Sequence, residues 1–149
     1  MPVNATFEGR SYPPCESFAV GREHVRDFAR AVGATDPVHF DVAAARQAGY
    51  ADVIAPPTFA VVIAQRAEAQ LMLDPEAGID FSRVVHGEEK FLHHAPLVAG
   101  EEIVARLHVD RVREVAGNAL VGTRVELATS EGAPRSTVTS SLVVRGEES

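Results

Sequence analysis

Asp36 and His39 are the pair in this chain best suited to moving a proton. They stand three positions apart across a proline, in the run Gly33-Ala34-Thr35-Asp36-Pro37-Val38-His39. An imidazole oriented by a carboxylate at that spacing can act as a general acid or base near neutral pH. Each residue also has a plainer reading. Asp36 before Pro37 suits a helix cap, and His39 can be a turn histidine satisfied by backbone. Further along comes Ile54-Ala55-Pro56-Pro57-Thr58-Phe59, which opens the longest helical stretch. Thr58 there can offer its N–H or hydroxyl to a carbonyl oxygen, or simply start the helix. Pro57 has no N–H to offer.

The remaining reactive residue types carry less. His93 and His94 are neighbours on a strand-like stretch, so their rings should point to opposite faces rather than share a metal. His24, His86 and His108 have no carboxylate or cysteine at ligand spacing. Cys15 follows Pro13-Pro14 and lacks the helix start or basic neighbour that would favour a thiolate. Glu68 is the one acid within the long helix, in its more polar half.

These residues must be held by the elements around them. Ser17 to Val20 can form a short strand. Gly21 to Val32 has Val25, Phe28, Ala29 and Val32 on one helical face, and Gly33 suits a left-handed C-cap. Asp36-Pro37 opens the turn bearing His39. Asp41 can cap a helix through Gln47, stopped by Gly49. Pro56-Pro57-Thr58 leads a helix to about Leu73, with Asp74-Pro75 beyond it. Its first turns, Phe59 to Ala64, are apolar all the way round and should be buried on every side.

From Phe81 the period becomes two. Strands are expected at Val84 to His94, Ile103 to Asp110, Leu120 to Ala128 and Val138 to Val144, with turns at Ala116-Gly117-Asn118 and Glu131-Gly132-Ala133-Pro134. Helices followed by a four-stranded antiparallel meander describe an α+β chain whose sheet curls around one apolar helix. A sheet that short leaves the helix uncovered at its edges, so pairing with a second subunit is expected.

Composition narrows the class. The 149 residues, 46% apolar and 23% charged, read as one domain spanning 1–149, with a core of aliphatic side chains because Trp is absent. A single cysteine excludes an internal disulfide and fits a reducing cytoplasm. No run approaches the roughly 20 apolar residues of a membrane helix, and the first residues do not read as a signal peptide. A net charge of -7 without a Lys/Arg cluster argues against nucleic acid. The runs Glu101-Glu102 and Glu147-Glu148 read as solvated surface.

The motif and its spacing resemble the MaoC-like (R)-specific enoyl hydratases and 3-hydroxyacyl dehydratases. Those read roughly Gly-Asp-x-Asn-Pro-(aliphatic)-His, followed by Ile-Ala-His-Gly. The segment Phe91-x-x-x-Ala95-Pro96-Leu97-Val98-Ala99-Gly100-Glu101 is similar to the family's link between strands. The resemblance implies a hot-dog fold and a hydro-lyase of fatty-acid metabolism without cofactor or metal. It also implies an acyl-CoA or acyl-carrier-protein substrate, and a dimer with itself or with another MaoC-like subunit. Family members grip water between an Asp and a His, while a glycine N–H polarises the thioester oxygen. Here the Asp position is Ala34, the Asn position Asp36, the His position His39 and the glycine Pro57. The resemblance assigns His39 and Asp36 to catalysis, and Ala55, Pro57, Thr58 and Phe59 to the substrate.

Three functions stay open at this stage. One is an acyl-chain-holding subunit with an incomplete site, beside a complete partner. Another is a self-sufficient homodimeric hydratase using a displaced Asp36/His39 dyad. The last is an acyl-thioester binding protein without chemistry.

Overall fold

The computed structural model describes residues 3–146. The run Glu147-Glu148 therefore lies outside the described residues. Five strands form one antiparallel sheet: β1 (Phe18–Ala19), β2 (Val84–His93), β3 (Glu102–Val115), β4 (Asn118–Thr129) and β5 (Pro134–Val144). Three α-helices precede most of it: α1 (Arg22–Ala31), α2 (Val42–Gln47) and α3 (Ala60–Met72). The α3 helix continues directly from a 3-10 turn at Pro57–Phe59 and lies across β3, β4 and β5. No helix among the described residues is long and apolar enough to cross a membrane.

Local signals in the sequence set the helix ends. Gly33 takes φ 72°, and the N–H of Gly33 and Ala34 close back on Arg30 and Ala29. Asp36 and Asp41 each accept the N–H two residues on, capping the turn Pro37–His39 and α2. The sheet alternates as expected, burying Ile103, Ala105, Leu107 and Val109 of β3 against α3. A bulge at Asp110 shifts the register from Val109↔Thr123 to Arg111↔Gly122, which lets β3 run on to Val115.

Two expectations need correction. The strands do not form a four-stranded meander, because the sheet order is β1-β3-β4-β5-β2. Only β3, β4 and β5 follow one another as hairpins, while β2 pairs with β5. The connection from β2 to β3 is too long and proline-interrupted for a hairpin. It crosses beside Val53–Ala55, where Ala55 donates to Leu97 at 2.8 Å and Ala99 to Val53 at 2.9 Å.

The start of α3 is also not buried on every side. Ala60, Ile63, Ala64, Ala67, Glu68 and Leu71 face the sheet, whereas Val61 and Val62 are half-buried and Pro57 and Thr58 exposed. A single sheet covers one side of a helix, so the other apolar side is left open. The outer edge of β3 is covered by the N-terminal segment, with Gly9 donating to Val109, Tyr12 to Leu107 and Cys15 to Ala105. The outer edge of β2 has no strand beside it among the described residues.

Candidate active site

His39 ends the turn that Asp36 caps, which points its ring at the entry to α3. Its Nδ1 lies 2.7 Å from the carbonyl oxygen of Ile54. A carbonyl only accepts, so Nδ1 carries the proton and the neutral ring keeps its lone pair on Nε2. Ile54 is held in place from both sides. Its N–H donates to Val38 at 3.0 Å, and it forms a single antiparallel bridge with Val98. The turn and the β2–β3 connection are thus clamped either side of Ile54–Ala55.

A cavity of about 390 Å³ opens at this clamp. Asp36, His39, Ala55 and Pro57 line it, together with Val38, Ile54, Pro56, Ala95, Pro96 and Leu97. His93 and His94 complete the wall. Of the residues the sequence assigned to the substrate, Ala55 and Pro57 are here and Thr58 and Phe59 are not. Thr58 is exposed beside the cavity, and Phe59 is fully buried among Phe18, His24 and Phe28.

The Asp36 carboxylate accepts the Val38 N–H at 3.1 Å, and among the described contacts it reaches no imidazole. The displaced dyad is therefore not assembled. Its backbone carbonyl instead accepts the His39 N–H at 3.1 Å. The backbone offers little in exchange, since the N–H groups of Ile54 and Ala55 are bonded and Pro56 and Pro57 have none.

His93 and His94, not assigned to the site from sequence, both line the cavity. His93 is the last residue of β2 and His94 lies in the bend after it, where strand alternation no longer applies. His93 Nδ1 is 2.7 Å from Ser136 Oγ, and the ring stacks on Phe91. Among the described residues, no three His, Cys, Asp or Glu side chains converge as metal ligands.

Glu101 was expected to be solvated surface and instead builds the site. It accepts the Val98 N–H at 2.8 Å and pairs with the Arg135 guanidinium, joining the loop that carries Leu97 to β5. Truncating such a charge-assisted hub typically costs about 1.5–3 kcal/mol. Glu101→Ala is accordingly expected to lower stability by that order and to speed hydrogen exchange at the Val98 amide. Unchanged exchange there would contradict this role.

Glu68 does not face the cavity. It is 3% exposed and meets Ser140 Oγ at 2.8 Å, beside Glu89 and His86. Burial pushes its carboxyl above the ordinary range. Burial likewise raises the Cys15 thiol, whose sulfur accepts from Gln70 at 3.0 Å.

Comparison with known proteins gives the family. Residues 6–135 match the family model for the FAS1-like dehydratase domain region. A UPF0336 protein of Clavibacter michiganensis subsp. michiganensis is 51% identical over 148 residues, covering 99% of both chains. Among solved structures, the C-terminally truncated HadBC (3R-hydroxyacyl-ACP dehydratase) complex of Mycobacterium tuberculosis aligns at 31% identity with a TM-score of 0.82. That alignment covers 92% of this chain and 96% of the other. A longer MaoC-like dehydratase aligns at 32% identity and TM-score 0.85, over 94% of this chain and 42% of its own. The curled antiparallel sheet, the helix it holds and these matches agree: the chain belongs to the MaoC-like hot-dog dehydratases.

Proposed function

We propose that this chain is the acyl-chain-holding subunit of an (R)-3-hydroxyacyl thioester dehydratase, or enoyl hydratase, of cytoplasmic fatty-acid metabolism. Its substrate would be an acyl-CoA or acyl-carrier-protein thioester. A second MaoC-like hot-dog subunit would carry the complete water clamp. One observation carries the reading: the cavity keeps the His39 imidazole while the Asp36 carboxylate is turned to the Val38 N–H. With Ala34 in the clamp position and Pro57 lacking an N–H, hydration by this chain alone should be slow. Loss of one such donor lowers rates by roughly 10²–10³ where it has been measured.

The open surfaces favour a partner. The ten-residue β2 edge is unpaired among the described residues, and its Val85 and Leu92 are 49% and 61% exposed. The half-buried Val61 and Val62 leave one side of α3 for a second subunit to cover.

Co-expression with a neighbouring MaoC-like gene product tests this. A stable complex should form and hydrate crotonyl-CoA or longer enoyl-CoA at least about 100-fold faster than this chain alone. Equal rates for the chain alone and the complex would overturn the subunit role. A homodimer that binds no acyl thioester would overturn the reading altogether.

A further inference from the structure

The two anchored histidines of the cavity have different partners, and the partners fix their protons. Ile54 offers His39 a carbonyl oxygen, which leaves the lone pair of the neutral ring on Nε2. Ser136 offers His93 a hydroxyl, which can donate or accept. Ser136 is 1% exposed and, among the described residues, its hydroxyl meets no acceptor other than His93 Nδ1. A buried O–H donating to nothing would bear the full penalty of desolvation. Ser136 therefore donates, Nδ1 accepts, and the proton of the neutral ring sits on Nε2. The second nitrogens of the His39 and His93 rings thus have opposite polarity, one an acceptor and the other a donor.

The rest of the cavity supplies no competing donor that is held in place. Its other side chains are aliphatic or proline, apart from the Asp36 carboxylate, which only accepts when ionised, and His94. Among the described residues the His94 ring makes no hydrogen bond, whereas its backbone N–H is held by the Arg135 carbonyl at 2.8 Å. The Ala95 N–H is bonded to the same carbonyl.

We propose that His93 is the hydrogen-bond donor of this cavity, receiving the carbonyl oxygen of an acyl thioester in place of the amide N–H that Pro57 lacks. Ser136 is its positioning residue, acting only through the tautomer it imposes. This assignment rests on the acyl-thioester reading above, but its proton arrangement can be examined without any ligand.

The experiment has two arms, both on the full chain in the complex it forms when co-expressed. The first is ¹⁵N NMR of the histidine rings. His39 should appear as the Nδ1–H tautomer and His93 as the Nε2–H tautomer, and Ser136→Ala should disturb His93 while leaving His39 unchanged. A His93 ring protonated on Nδ1 overturns the donor assignment.

The second arm measures, by calorimetry, binding of decanoyl-CoA and of the S-decyl thioether of CoA, which lacks the carbonyl. The wild type should prefer the thioester by about 3- to 10-fold, the worth of one neutral hydrogen bond. His93→Asn keeps a group facing Ser136 but nothing at Nε2, and should erase the preference. His93→Gln places an amide N–H near the Nε2 position and should restore most of it. Equal losses for thioester and thioether in His93→Asn would reduce His93 to packing and overturn the proposal. If the wild type binds neither ligand, the acyl-thioester reading fails and the carbonyl with it, while the ring tautomers still decide the donor separately.

Discussion

Phe59→Ala is expected to destabilise the chain by about 3–5 kcal/mol, the usual cost of deleting a buried phenyl ring. Phe59 is fully buried, and three rings meet it edge-on: Phe18 at 6.3 Å, His24 at 5.1 Å and Phe28 at 5.3 Å between centroids. Such contacts add to burial because the positive edge of one ring meets the negative face of another. Trp is absent and only seven Phe exist, so few other side chains can fill the gap. The site depends on the same anchor. The Phe59 N–H closes on the Pro56 carbonyl at 2.9 Å, fixing the proline turn that walls the cavity. For a chain this size the melting temperature should fall by roughly 6–20 °C. Phe59→Leu keeps much of the apolar volume but loses the ring contacts, so it should cost less than Phe59→Ala without being neutral. A loss below about 1 kcal/mol for Phe59→Ala, by urea unfolding, would show that this aromatic cluster is not what holds α3 to α1 and β1. Reduced ligand affinity at unchanged stability would return Phe59 to the substrate-contact role the family pattern implies.

Features with a short-range cause were legible in the sequence. The caps at Asp36 and Asp41, the left-handed Gly33 and the alternation of β3 each depend on residues within a few positions. Pairings between distant segments were not. Nothing near Val84 to His93 distinguishes β3 from β5 as its partner, because both present the same alternating apolar face. The choice is made by the β2–β3 connection, whose hydrogen bonds to Val53 and Ala55 carry it across the entry to α3.

The site was half legible for the same reason. The placement of His39 follows from a local turn. The role of Asp36 turned on which of two nearby hydrogens its carboxylate would take, and the Val38 N–H, two residues away and fixed by Pro37, is the one it bonds. His93 and His94 were weighed only as a metal pair, and nothing local marks them as lining a cavity that three distant segments enclose. Glu101 looked like half of an acidic surface pair, and only the fold brings Arg135 to it.

Glu68 should make this protein less stable as pH rises above about 4.5, the reverse of the usual carboxylate. Helical periodicity explains its burial: Glu68 falls on the Ala60, Ala64, Ala67 and Leu71 face. Around it stand Ser140 of β5, Thr123 of β4, and Glu89 and His86 of β2. Ser140 Oγ lies 2.8 Å from both Glu68 and Glu89, yet a hydroxyl has one proton to donate. Both contacts are satisfied only when a carboxyl supplies the second proton. Glu68 is the group whose pKa is raised, by burial first and by Glu89 beside it, against the opposing pull of Ser140 and His86. Protonated Glu68 then donates to Ser140, and Ser140 donates to Glu89. The folded chain therefore holds this proton more tightly than the unfolded chain, where the group titrates near 4.5. Its contribution is full below that pH and disappears as pH climbs through the raised value. Glu68→Gln retains a donor toward Ser140 and cannot ionise. It should flatten this part of the profile and be the more stable protein at pH 8, by about 1–3 kcal/mol, the scale of one buried group left unsatisfied. Urea unfolding of both proteins at pH 5 and pH 8 measures the difference, with the other titrating groups common to the two. Identical slopes would mean that Glu68 is ionised throughout, and that α3 and the β2 edge tolerate two neighbouring charges.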